Sequence, residues 1–159
     1  MRLLETSPSS IPKLREFIGS HISPYAILSH TWEDDEVTLQ QLTAAGTIDP
    51  SPLQSKAGFH KIQQTCALAH AQGKLEYAWV DTCCIDKTSS AELTEAINSM
   101  FAWYRDAEVC YVFLSDLQPG AAGDLQYTLP KCRWFTRGWT LQEMIAPKEV
   151  LFFDRECKQ

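Results

Sequence analysis

Four short runs in this chain leave no polar face: Tyr25-Ala-Ile-Leu-Ser29, Tyr77-Ala-Trp-Val80, Val109 to Leu114 and Val150-Leu-Phe-Phe153. A strand with one wet face alternates apolar and polar residues, so runs of this kind predict strands covered on both sides. Helical periodicity separates them. Between Lys56 and Gln72, Phe59, Ile62, Cys66 and Ala69 recur at spacings of three, four and three before Gly73, which reads as a C-cap. From Ser89, Ser-x-x-Glu92 reads as a capping box, and Leu93, Ala96, Ile97, Met100, Tyr104 and Ala107 then share one helical face. Shorter helices are expected near Pro12 to Ile18 and from Trp139 to Ile145, the latter stopping before Pro147. Residues 115–133, with Pro119, Gly120, Gly123 and Pro130, read as a long loop. Strands alternating with helices give an α/β fold, a doubly wound, mostly parallel sheet in a three-layer architecture. In such sheets ligands bind beyond the carboxyl ends of the strands, where this chain carries Ser29-His30-Thr31-Trp32, Asp81 to Asp86, and Ser115-Asp116.

At 159 residues the chain is expected to be one domain, 1–159, and it stops soon after its last strand, as the amino-terminal piece of a longer protein would. Apolar residues at 45% and charged residues at 21% are ordinary globular usage, which excludes a disordered or fibrous chain. A net charge of −6 with no cluster of Lys and Arg argues against a nucleic-acid partner. The longest apolar run, Val109 to Leu114, is too short to span a bilayer, and the N-terminus with Glu5 and Glu16 has no signal-peptide core. Cysteines 66, 83, 84, 110, 132 and 157 form no C-x-x-C pair and combine with His21, His30, His60 and His70 into no zinc pattern. Reduced thiols in a cytoplasmic protein are expected, with no metal.

The familiar phosphate cradles, G-x-G-x-x-G and G-x-x-x-x-G-K-[ST], and the G-x-S-x-G elbow are missing. Cys83 or Cys84 beside His30 would make a thiol nucleophile and base, although a cysteine among buried strand residues is more commonly inert. Asp81, Asp86 and Asp116 would suit a hard cation, although loop aspartates more commonly bond backbone amides in turns. Trp139 and Glu143, four apart on one helix, set an indole plane beside a carboxylate, which suits a flat ring and a developing positive charge. The same residues fit helix-start chemistry: Thr140-Leu-Gln-Glu143 as a capping box, with Trp139 and Met144 as its staple.

Three segments together, Tyr25-Ala-Ile-Leu-Ser-His-Thr-Trp32, Ala78-Trp-Val-Asp-Thr-Cys-Cys-Ile-Asp86 and Arg133-Trp-Phe-Thr-Arg-Gly-Trp-Thr-Leu-Gln-Glu143, resemble the signature blocks of the fungal heterokaryon incompatibility (HET) domain, in order. The helix Glu92-Leu-x-x-Ala-Ile-Asn-Ser-Met100 resembles that family too, and the likeness runs from about residue 1 to 154. Glu33 departs from it, standing where the first block usually continues with a glycine that would serve a positive φ. The resemblance implies programmed cell death after non-self recognition, on a fold similar to the flavodoxin-like Toll/interleukin-1 receptor (TIR) domains. Trp139-x-x-x-Glu143 then looks like the tryptophan and catalytic glutamate of NAD-cleaving TIR domains. On that reading Glu143 is catalytic, and Ser29, His30, Trp32, Asp81, Asp86, Arg137 and Trp139 bind substrate. NAD or a related nucleotide is the substrate, with no bound cofactor, no nucleic-acid or membrane partner, and self-association. Two rivals remain: a non-catalytic adaptor that signals by homotypic assembly, and a nucleotide sensor that binds without turnover.

Overall fold

A computed structural model of the chain describes residues 1–9, 11–19, 21–45, 51–119 and 125–159. Gly120 and Gly123 of the expected loop lie outside the described residues. The strands are β1 (Arg2–Glu5), β2 (Leu14–Glu16), β3 (Tyr25–His30), β4 (Tyr77–Trp79), β5 (Val109–Phe113) and β6 (Val150–Phe153), joined in one sheet of order β2-β1-β4-β3-β5-β6. The four apolar runs form its parallel part: β3 pairs with β4 and β5, and β5 with β6. All six residues of β3 are buried, as a central strand covered on both faces requires.

The helices are α1 (Leu39–Ala45), α2 (Ser51–Gln54), α3 (Ala57–Ala71), α4 (Asp81–Cys84), α5 (Ser90–Asp106), α6 (Leu125–Thr128) and α7 (Thr140–Ile145). From β3 the chain crosses through α3 to β4 on one side, then through α5 to β5 on the other. Right-handed crossovers in opposite directions place α3 and α5 on opposite faces. The strand order therefore reverses beside β3, between its carboxyl end and that of β5.

Several sequence expectations are corrected. The stretch expected to be helical near Pro12 to Ile18 contains strand β2, paired antiparallel to β1 with Leu4 opposite Leu14. Seven residues hold a helix poorly in water, whereas β1 and β2 extend the sheet beyond β4, which would otherwise present an open edge. Asp81 to Asp86 is not simply loop: residues Asp81–Cys84 wind one helical turn, with the Cys84 N–H donating to Val80 O at 2.8 Å. The expected loop 115–133 holds α6 and a 3-10 turn at Leu129–Lys131, and a second 3-10 turn follows at Arg133–Thr136. On α5, Ala96 and Tyr104 are buried and Leu93, Met100 and Trp103 rest against the core, but Ile97 is exposed. Trp103 and Tyr104 turn the buried stripe away from Ile97 by meeting Trp79 edge-on, with ring centroids 5.6 and 6.1 Å away. Half of the capping box at Ser89 forms. Its hydroxyl accepts the Glu92 N–H at 3.3 Å, while the Glu92 carboxylate turns to the Asp86 N–H and to Arg2. At the end of α3 the left-handed residue is Lys74, with φ of 51°, and not Gly73. At Gly73 the fit is tight, since a Cβ there would lie 3.0 Å from the Leu75 side chain and 3.1 Å from Ala69 O.

Gly58, in the first turn of α3, decides how closely the segment after β3 approaches. Its N–H donates to Asp35 O at 3.2 Å, and the Asp35 carboxylate accepts the Ala57 N–H at 2.9 Å, capping the helix. A Cβ at Gly58 would sit 2.6 Å from Asp35 O and 2.8 Å from Glu36 Cα, both backbone atoms. In an open helix Gly→Ala gains about 1 kcal/mol, but a clash with backbone costs roughly 1–3 kcal/mol and pries Glu36 outward. Gly58→Ala should therefore lower the melting temperature, by about 2–6 °C, where an unobstructed site would raise it; thermal melts check the sign.

Candidate functional site

The carboxyl ends of the parallel strands meet the segment 133–143. Within it the indole of Trp134 is buried edge-on against Phe135 and Phe152, with centroids 4.8 and 5.8 Å away. This anchor aims its Nε1–H at Ser29 Oγ, 2.6 Å away at the end of β3. The Ser29 hydroxyl, already accepting that bond, turns its own proton to Glu143 Oε2 in a short hydrogen bond. Glu143 on α7 is thus a buried carboxylate held in one orientation, 6% exposed. Burial pushes its carboxyl above the ordinary range, while Ser29, Arg137 and His30 pull it back. Arg137 is itself fixed by donating from Nη1 to His30 O at 2.7 Å.

The capping box expected at the start of α7 does not form. Trp139, already helical in backbone, is the N-cap and offers no side-chain bond. The Thr140 hydroxyl donates to Arg137 O at 2.5 Å, and the Glu143 carboxylate is committed to Ser29. Trp139 and Met144, cast as a staple, are 52% and 41% exposed.

A second network lies beneath Asp81. His30 is buried, its Nε2 3.5 Å from Glu36 Oε2 and its Nδ1 4.0 Å from Asp81 Oδ1. Glu36 also bonds the buried ammonium of Lys61. Burial alone would raise the Glu36 carboxyl, but His30 and Lys61 outweigh it and hold it at about 2. Asp81 Oδ2 accepts the Trp32 Nε1–H at 2.8 Å, which fixes that half-exposed indole. Over the Trp32 ring, 3.2 Å from its centroid, sits Lys87 Nζ.

Trp32, Asp81, Lys87, Arg137, Trp139 and Glu143 line one cleft of about 290 Å³, closed on the α5 side by Leu93, Ile97 and Met100. The structure therefore brings five of the expected site residues, Trp32, Asp81, Arg137, Trp139 and Glu143, to one wall. Ser29 and His30 are buried beneath it as supports. Asp86 is not brought in: its carboxylate accepts from the Thr88 N–H and hydroxyl at 2.9 and 2.6 Å and from Gln40, a turn ahead of α5. A cleft of this composition, with aromatic planes, two cations and a desolvated carboxylate, suits a flat ring next to a sugar and an anionic group. A larger cleft of about 680 Å³ lies on the other side of α5, between Trp103 and Phe17, but its Arg2 and Glu92 are spent on each other.

Other readings of these residues fare less well. Cys83 and Cys84 are buried, burial pushes the Cys83 thiol well up, and His30 faces carboxylates instead. Asp81, Asp86 and Asp116 are engaged separately, the last by the Arg133 N–H at 2.8 Å. Among the described residues no group of three His, Cys, Asp or Glu side chains is placed to hold a metal, and no helix is long and apolar enough to cross a membrane. Glu33 does not take a positive φ; its carboxylate accepts from Arg133 Nη2 and Ser115 Oγ, both at 2.8 Å. Sequence reasoning missed Lys87, Trp134, Glu36 and Lys61. Lys87 directly follows the second block, and Trp134 stands inside the third, so both were open to view; nothing local pairs Glu36 with Lys61.

Because Glu36 in the fold titrates near 2 against an ordinary 4.5, its charge stabilises the fold above pH 4.5, and that contribution fades as pH falls toward 2. Glu36→Gln, which strands the Lys61 ammonium, should cost about 3 kcal/mol at neutral pH, with the gap to the parent narrowing below pH 4.5. Melting curves from pH 7 to 2.5 measure it.

Comparison with known proteins bears on this arrangement. Residues 25–126 match the family described as Heterokaryon incompatibility protein (HET). The Vegetative incompatibility protein HET-E-1 of Podospora anserina is 48% identical over 164 aligned residues, which cover 98% of this chain. The chain spans 12% of the length of that relative. No solved structure matches it. On the extent of both matches, the chain belongs to the heterokaryon incompatibility (HET) family.

Proposed function

We propose that this chain is a cell-death effector domain of fungal non-self recognition that hydrolyses the bond between nicotinamide and ribose in NAD. The observation that carries the reading is the Trp134–Ser29–Glu143 chain, which aims a desolvated carboxylate into a cleft flanked by Trp32 and Trp139. The parallel order β4-β3-β5-β6 is that of flavodoxin-like sheets, which supports the likeness to TIR domains. In the reaction the glycosidic C–N bond breaks, nicotinamide departs with the bonding pair, and water adds to the ribose carbon and gives up a proton. Glu143 accepts hydrogen bonds from the ribose hydroxyls and faces the positive charge that grows on the ring, an interaction strengthened by its dry surroundings. Trp32 or Trp139 stacks on a base or the nicotinamide, and Arg137 meets a phosphate.

One observation favours a second reading, the homotypic adaptor. Ile97 and Phe101 on α5 and Leu141, Met144 and Ile145 on α7 are large apolar side chains left 41–64% exposed. Self-association through that face is compatible with catalysis, because an assembled copy would cover the mouth of the cleft.

Nicotinamide release from NAD, with and without forced dimerisation, separates the readings. Glu143→Gln keeps an acceptor for Ser29 and removes a charge whose burial opposes folding at neutral pH, so it should melt no lower than the parent yet lose turnover by at least about a hundredfold. Normal cell killing by a folded Glu143→Gln would favour the adaptor. Ser29→Ala removes a bond that lowers the Glu143 pKa, so the acid limb of kcat/KM should move to higher pH. An unmoved limb would separate Glu143 from the reaction.

A further inference from the structure

Lys87 is a half-buried cation inside the cleft with neither a hydrogen bond nor an ion pair among the described residues; its ammonium lies on the face of Trp32, 3.2 Å from the ring centroid. The two partners are unequally held. Trp32 is tied through Nε1 to Asp81, which faces buried His30. Lys87, on a flexible four-carbon stem, rests on the ring with no hydrogen bond among the described residues to fix it. Arg137 lines the same cleft and makes no ion pair within 4.0 Å among the described residues, its Nη1 going to His30 O. Of the carboxylates nearby, Asp81 accepts from Trp32 through Oδ2 and Glu143 from Ser29 through Oε2, and neither bonds Lys87. Two cations with no ion pair within 4.0 Å among the described residues therefore border a surface on which one indole, Trp32, carries one of them on its face.

We propose that Lys87 is a displaceable plug that makes the cleft selective for phosphorylated nucleotides: a ligand phosphate draws the ammonium off Trp32, and the uncovered ring then stacks on the ligand's base. This rests on the reading of the cleft as a nucleotide site and adds a specificity-determining residue to it. A charge-assisted bond to phosphate is stronger than a cation–π contact at a half-exposed ring, so the exchange runs toward the phosphate. A nucleoside without phosphate has nothing to offer Lys87 and must compete with it for the ring. Burial already works against the Lys87 charge, with Asp81 and Glu36 sustaining it, so an arriving anion meets an ammonium poorly served by water.

Calorimetric titration of the parent chain, Lys87→Met and Lys87→Arg with ADP-ribose and with adenosine tests the idea. Methionine keeps the apolar stem and removes the charge. The parent should prefer ADP-ribose, and Lys87→Met should bind it about tenfold or more weakly while binding adenosine as well as the parent or better. Lys87→Arg should restore the preference. Unchanged ADP-ribose affinity in Lys87→Met, or an equal loss for both ligands, would overturn the plug while leaving the nucleotide site in place. Parent chain that binds neither ligand would overturn both.

Discussion

The hydrogen bond from Ser29 to Glu143 joins the central strand to the segment before β6, the two parts that build the cleft. Ser29 is the penultimate residue of the central strand, and Glu143 sits on a six-residue helix that could not hold a geometry by itself. Trp134 makes the bond directional: by donating to Ser29 it leaves that hydroxyl one proton to give and one direction to give it. A carboxylate taken from water is expensive unless its lone pairs are met, and here Ser29, oriented by Trp134, offsets part of that cost. Remove the indole and the serine loses its orientation; remove the serine and a buried carboxylate loses its donor.

The charges beneath Asp81 do related work at longer reach. Lys61 on α3 fixes Glu36, Glu36 faces His30, His30 faces Asp81, and Asp81 fixes Trp32. The series begins on one face of the sheet and ends in the cleft, and it depends on Gly58 letting the 31–38 segment lie against α3. Most surface ion pairs contribute little, but Lys61 and Glu36 are 6% and 14% exposed, so the pair is screened weakly and breaking it is costly. The pair lies at the start of the series whose last bond, from Trp32 Nε1–H to Asp81, orients the indole plane.

Much of this was legible in the sequence because the signals were local. Tyr25–His30, Val109–Phe113 and Val150–Phe153 announced themselves as strands by lacking a polar face, and α3 and α5 by their periodicity. What was not legible depended on partners distant in the chain. Leu14–Glu16 became a strand because β1 lay beside it, not through its own propensity. Glu143 read as a capping residue because Thr140-x-x-Glu143 has the spacing of one; the competing acceptor role came from Ser29, 114 residues away. Asp86 looked like a neighbour of Asp81 along the chain, but the turn of α4 between them directs it to Thr88 and Gln40.

The proposed activity requires that the cleft at the carboxyl end of β3 receive a nucleotide with its ribose against Glu143. The most direct measurement is a crystal structure of the chain grown with ADP-ribose. Ribose hydroxyls should lie within hydrogen-bond distance of the Glu143 carboxylate, with a phosphate beside Lys87 or Arg137 and the Ser29–Glu143 bond intact. Density for the nucleotide in the cleft between Trp103 and Phe17, with Glu143 untouched, would contradict it.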